Sequence, residues 1–120
     1  MKSLFYFLFT GMFAVALFLG ACQKVVYPPI EVPIEVSYSA DVQPIFSVKC
    51  IDCHKGSLSP DLRPDVSHEE LTNGKKVYVD TINPPNSLLM QKLYGSHDAR
   101  ATESEKQTIL VWIEGGALNN

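Results

Sequence analysis

An all-α domain of short helices and long loops is what the sequence predicts. Helix start and stop signals recur from Tyr38 to the last residues, and the apolar positions between them fall three and four apart. Only "KKVYVDTI", residues 75–82, alternates like a strand, and no second segment with hairpin turn residues stands ready to pair with it.

The domain is preceded by an address. Lys2 is followed by an apolar run from Leu4 to Leu19, closing in Leu19-Gly20-Ala21-Cys22. A positive start, an apolar stretch and small residues before a cleavage point form the pattern of an export signal. The run is short against the roughly 20 residues that a membrane-spanning helix needs. Its last four residues resemble a bacterial lipobox, which implies cleavage before Cys22 and lipidation of that cysteine. Residues 1–21 are therefore read as a lipoprotein signal peptide. Residues 22–37 are read as a lipid-anchored linker: Pro28, Pro29 and Pro33 remove backbone donors, fix φ and favour an extended tether. Residues 38–120 remain for the domain, a size at which a hydrophobic core alone is marginal and a staple is usual.

Charge narrows the partners. Loss of Lys2 leaves nine basic residues against 13 acidic ones. A mildly acidic domain lacks the basic patch that nucleic acid requires, so no nucleic acid partner is expected. Electrostatics point to a basic protein partner or to weak steering.

Four helices can be placed by their ends. The first spans Ser39–Lys49, with Val42, Ile45, Phe46 and Cys50 at helical spacing and Pro44 in the tolerant first turn. Ser67 and Glu70 stand in capping-box spacing for a short second helix, Ser67–Asn73, stopped by Gly74. "NPPNS" turns the chain into the third, whose apolar face is Leu88, Leu89, Leu93 and Tyr94 and whose end is Gly95. Thr102 and Glu105 form the capping box of the fourth, Ile109, Trp112 and Ile113 line one side, and Gly115-Gly116 end it. His68, in the first turn of the second helix, is expected to be exposed, and Lys75-Lys76 to form a solvated turn. Loops this long in so small a domain suggest that something besides side chains fills the middle.

The chemistry is concentrated in "KCIDCHKG", residues 49–56. With Cys22 assigned to the anchor, Cys50 and Cys53 are the only remaining cysteine pair. A thioredoxin-like pair needs a neighbouring βαβ pattern, which is missing. A structural zinc site needs four ligands, and no second pair stands at finger spacing. A disulfide suits an exported chain but does not require the adjacent histidine. The fourth reading is covalent haem c attachment, for which C-x-x-C-H is the local signature. Residues three apart lie about one helical turn apart, so both thiols can reach one macrocycle while His54 turns its imidazole to the iron.

Beyond this motif, the stretch from "YSADVQPIF" to "WIEGGALNN" resembles the small class I cytochrome c domains of bacterial lipoproteins. "DVQPIF", "CIDCH", "PDL", "NPPNSLLMQKLYGSH" and "ILVWIEGGALNN" carry the likeness. It implies a cytochrome c-like fold, three to four short helices wrapped around one covalently bound haem. It implies that Phe46 and Trp112 mark a crossing of the first and last helices, and that Leu89 and Leu93 help wrap the haem. It matches Pro60-Asp61-Leu62 to the family's Pro-x-Leu, whose proline carbonyl accepts a hydrogen bond from the proximal imidazole, here His54. One-electron transfer between redox partner proteins of the cell envelope follows as the expected function, on the periplasmic or exterior side, without catalytic turnover.

In one place the sequence departs from the family. Most class I domains present a methionine to the iron from the loop before the last helix, and here that loop, "GSHDARATESE", has none. His97 stands in it and is one distal candidate. Met90, the only methionine after the leader, is the alternative, and it can equally be a core gap-filler. Axial identity moves haem potentials over about 0.8 V, so the choice matters. An open iron position would instead indicate a ligand sensor or weak peroxidase, and a haem-free reading leaves a disulfide-bearing interaction module.

Overall fold

A computed structural model describes residues 35–120; the expected leader, Cys22 and the three linker prolines lie outside the described residues. The described residues are helical, with no strand among them. A π-helical turn, Tyr38–Val42, runs directly into α1, Gln43–Lys49. Then come α2, Ser67–Thr72; a 3-10 turn, Pro84–Asn86; α3, Leu88–Leu93; a second 3-10 turn, Asp98–Arg100; and α4, Glu103–Glu114. "KKVYVDTI" is irregular, held by Tyr78 N–H donating to the Leu71 carbonyl and Leu89 N–H donating to the Tyr78 carbonyl.

α4 forms as its local signals require. Thr102 Oγ1 accepts from the Glu105 amide and the Glu105 carboxylate accepts from the Thr102 amide, so two donors left free at a helix start are satisfied reciprocally. Ile109, Trp112 and Ile113 turn inward, and Gly116, at φ +95°, takes the left-handed conformation in which a Cβ would be strained.

The first helix starts one turn earlier than its α part. Ser37 caps the π-helical turn through its side chain, and Pro44 sits in the first turn of α1. Packing reaches back further than the expected boundary at Tyr38, because Val36 is already buried.

α2 departs from the capping-box expectation. Val66 occupies the cap position and makes no side-chain bond there. Ser67 is fully buried; its hydroxyl donates to Gln43 Oε1 at 2.5 Å and accepts from the Tyr38 hydroxyl at 2.7 Å. Gln43 passes the connection on by donating through Nε2 to the Leu62 carbonyl, at 3.1 Å. A buried hydroxyl must find its partners inside, and Ser67 finds them on the π-helical turn and α1 instead of on its own helix. No buried side-chain polar atom among the described residues lacks a partner.

Tyr94 is the second departure. It lies outside the core, where its hydroxyl donates to Glu103 and Lys106 lies 4.9 Å from its ring centre. The buried face of α3 is Leu89, Met90 and Leu93. His68 is the third. It is half-buried, edge-on to Tyr38 with ring centres 5.0 Å apart, 6.0 Å from Trp112, and its Nε2 donates to the Ala117 carbonyl at 2.8 Å.

The last residues close this side of the domain. Trp112 Nε1 donates to the Leu118 carbonyl, and the Tyr38 amide donates to Asn120 Oδ1. The start of the first helix and the end of α4 are thereby fastened around Tyr38, His68 and Trp112.

Candidate functional site

Past Lys49 the chain keeps turning without continuing α1. The Cys50 amide donates to the Phe46 carbonyl, and the Cys53 and His54 amides both donate to the Cys50 carbonyl. This single turn puts Cys50 and Cys53 on one wall of a cavity with His54 beside them. Both cysteines are free thiols, Cys50 half-buried and Cys53 exposed. Burial, and next the Glu105 charge, push the Cys50 thiol above its ordinary value. That is the reverse of the depressed thiol found in reactive redox pairs.

The loop after His54 folds back on it. The Leu62 amide donates to the His54 carbonyl at 2.8 Å, and His54 Nδ1 donates to the Pro60 carbonyl at 2.9 Å. Gly56, at φ +102°, makes the reversal in a conformation that a side chain would strain. The Arg63 guanidinium grips the Asp61 carboxylate, which holds that carboxyl below its usual range and braces the loop from outside. With Nδ1 committed as donor, the imidazole keeps its lone pair on Nε2, the arrangement in which a histidine serves as a metal ligand.

The cavity measures about 370 Å³, within the ~300–1,000 Å³ common for small-molecule and cofactor sites. Phe46, Leu62, Leu89 and Leu93 supply apolar wall, and Tyr78 and Ser59, with hydroxyls 3.3 Å apart, supply a polar edge. His97 also lines it, its ring centre 6.2 Å from that of His54 with a 46° tilt. Lys49, Lys76, Lys92 and Arg100 also line it, against Asp52 as the lone carboxylate. The chain matches no protein-family model, no curated protein and no solved structure.

Of the residues singled out in the sequence, Phe46, Cys50, Cys53, His54, Pro60, Leu62, Leu89, Leu93 and His97 share this cavity. Two stand apart. Trp112 packs instead on Tyr38 of the π-helical turn, at 5.0 Å between ring centres. Met90 is 1% exposed in the core and does not line the cavity. The cations were missed because they come from four separate stretches of chain that only the fold gathers. Lys76 in particular, expected as a bare solvated turn, faces the cavity with its ammonium 5.6 Å from the Tyr78 ring centre. The overall acidic balance therefore does not describe the mouth of the site, where positive charge prevails.

No group of three or more His, Cys, Asp or Glu side chains among the described residues is arranged to hold a bare metal ion. Two thiols and two imidazoles around an apolar slot with a cationic edge suit a flat, mainly apolar cofactor with acidic substituents.

Proposed function

We propose that this chain is a lipid-anchored mono-haem c-type cytochrome that passes single electrons between partner proteins of the bacterial cell envelope. The observation that carries the reading is the joint placement of Cys50, Cys53 and His54 on one cavity wall, with His54 Nδ1 held 2.9 Å from the Pro60 carbonyl.

The residues fit the group. Cys50 and Cys53 would form its two thioether bonds, His54 would ligate the iron through Nε2, and Phe46, Leu62, Leu89 and Leu93 would cover its apolar faces. Lys76, Lys92 and Arg100 provide charge complementary to carboxylate substituents. Haem c, when bound, supplies a reversible one-electron couple. The chain's own contribution is to fix the tautomer and direction of His54 through Pro60, to exclude water with the leucines, and to present one exposed edge at the Cys53 side to a partner. In a domain this small, a bound apolar disc also supplies burial that side chains alone do not. The resemblance to class I cytochrome c domains supports a cytochrome c-like wrap of these helices, and the lipobox-like Cys22 supports anchoring.

The test is to produce the full-length chain together with a haem c maturation system. Denaturing gels stained for haem should show covalent haem in the wild type, and the Cys50→Ala, Cys53→Ala double substitution should remove it. Voltammetry should show one reversible one-electron wave. A wild-type chain that matures without covalent haem would sink the proposal. Membrane fractionation of Cys22→Ala tests the anchor, which predicts release of the protein into the soluble fraction.

A further inference from the structure

On the haem reading above, the other side of the iron can also be assigned. We infer that His97 is the second axial ligand and that Ser96 is its positioning residue, so that this chain builds a two-imidazole iron site.

The His54 and His97 rings face the same cavity with centres 6.2 Å apart. With their planes 46° apart, the rings are not stacked. The centres are close enough for one ion, bonded at about 2 Å to a nitrogen of each, to lie between them. The two imidazoles are also engaged alike. His54 donates through Nδ1 to the Pro60 carbonyl, and His97 Nδ1 lies 2.9 Å from Ser96 Oγ. With Ser96 as acceptor, His97 carries its proton on Nδ1 and keeps its lone pair on Nε2, as His54 does. His68 marks the contrast, since its Nε2 is engaged by the Ala117 carbonyl.

The His97 segment is fastened in advance. The His97 amide donates to the Lys92 carbonyl at the end of α3, and the Arg100 amide donates to the His97 carbonyl, both at 2.9 Å. The next residue, Asp98, is held at 2.5 Å by the ammonium of Lys106, a lysine only 4% exposed. A ligand held by the end of one helix and a buried cation on the next loses little freedom on binding. Met90 has no comparable route. α3 turns Leu89 and Leu93 to the cavity and Met90 to the core, so a Met90 ligand would require α3 to abandon its packing.

The full-length, haem-loaded protein tests this by optical spectra and CO binding, with covalent haem scored separately on denaturing gels. The wild type should be low-spin in both oxidation states, and its ferrous spectrum should not respond to CO. His97→Ala should keep covalent haem, become high-spin, bind CO, and return to low-spin on addition of imidazole. Should His97→Ala not accumulate, His97→Met serves: it should stay low-spin with a raised potential, as methionine ligation demands. Met90→Leu should match the wild type. Ser96→Ala should remain low-spin but let CO displace His97 where the wild type shows no response, with Ser96→Thr restoring the wild-type lack of response. A low-spin spectrum that survives His97→Ala, or that Met90→Leu abolishes, overturns the assignment. A Ser96→Ala protein that, like the wild type, shows no response to CO overturns the positioning role. Covalent haem with a high-spin wild-type iron overturns this inference alone, whereas a wild type without covalent haem overturns the haem reading and this one with it.

Discussion

Where the first and last helices cross, His68 gives its Nε2 to the Ala117 carbonyl and packs edge-on against Tyr38 and Trp112. At the cavity, by contrast, His54 and His97 are both engaged through Nδ1. In the first region Tyr38, Ser67, Gln43 and Trp112 are buried, and every buried side-chain polar atom among the described residues has a partner. The second is open, walled by leucines and thiols and edged with cations. The comparison teaches that the type of residue does not decide its role here. The nitrogen left without a protein partner does, and so does the side of the domain that the fold assigns to it.

The closed region can be broken most severely at its centre. Trp112→Ala should lower unfolding free energy by about 3–5 kcal/mol, read from denaturant titration, because the largest buried side chain leaves a cavity its neighbours cannot fill. Ser67→Ala leaves the Tyr38 hydroxyl and the Gln43 amide oxygen without a partner in the interior. About 1–3 kcal/mol should be lost by the same titration, and a loss indistinguishable from zero would mean that water enters the network.

His68→Ala sharpens the contrast between the histidines. It should destabilise by about 1–2 kcal/mol and, on the proposed haem reading, leave the spectrum of the loaded protein unchanged, opposite in kind to His97→Ala. A spectral change in His68→Ala would break the division of the molecule into two regions. Thr102→Ala removes one half of the α4 capping box and should cost about 1 kcal/mol in a thermal melt, without altering the spectrum.

A further effect is one of pH. Burial pushes the Tyr38 hydroxyl up from 10.0 to about 12, with the Ser67 bond pulling the other way. The folded protein therefore keeps this proton where the unfolded chain releases it. The stabilisation is complete below pH 10 and is lost as pH rises from 10 toward 12. Tyr38→Phe should flatten the alkaline fall of stability over that window, and an unchanged slope would assign the fall to other groups.

Local chemistry was legible in the sequence. The Thr102–Glu105 box needs two side chains three apart, and residues 50–54 need one turn, so both are written within a few neighbouring positions. Ser67 and Glu70 have the same spacing as Thr102 and Glu105, yet no box forms, because partners 24 and 29 residues away claim the hydroxyl. Tyr94 followed the helical period of α3 but is drawn outward by Glu103 and Lys106, which periodicity within one helix does not register. The cationic edge of the cavity was illegible for the same reason, being assembled from Lys49, Lys76, Lys92 and Arg100 across half the chain.

Trp112 is the only tryptophan in the sequence, 2% exposed, with its indole N–H bonded to the Leu118 carbonyl. Its ultraviolet emission is therefore a private channel to the helix crossing. Loosening there should shift the emission to longer wavelength as the indole meets water. Visible absorption from a group at Cys50 and Cys53 would report on the cavity instead. Recorded together during unfolding, the two colours would show whether the halves of this domain come apart as one or in turn.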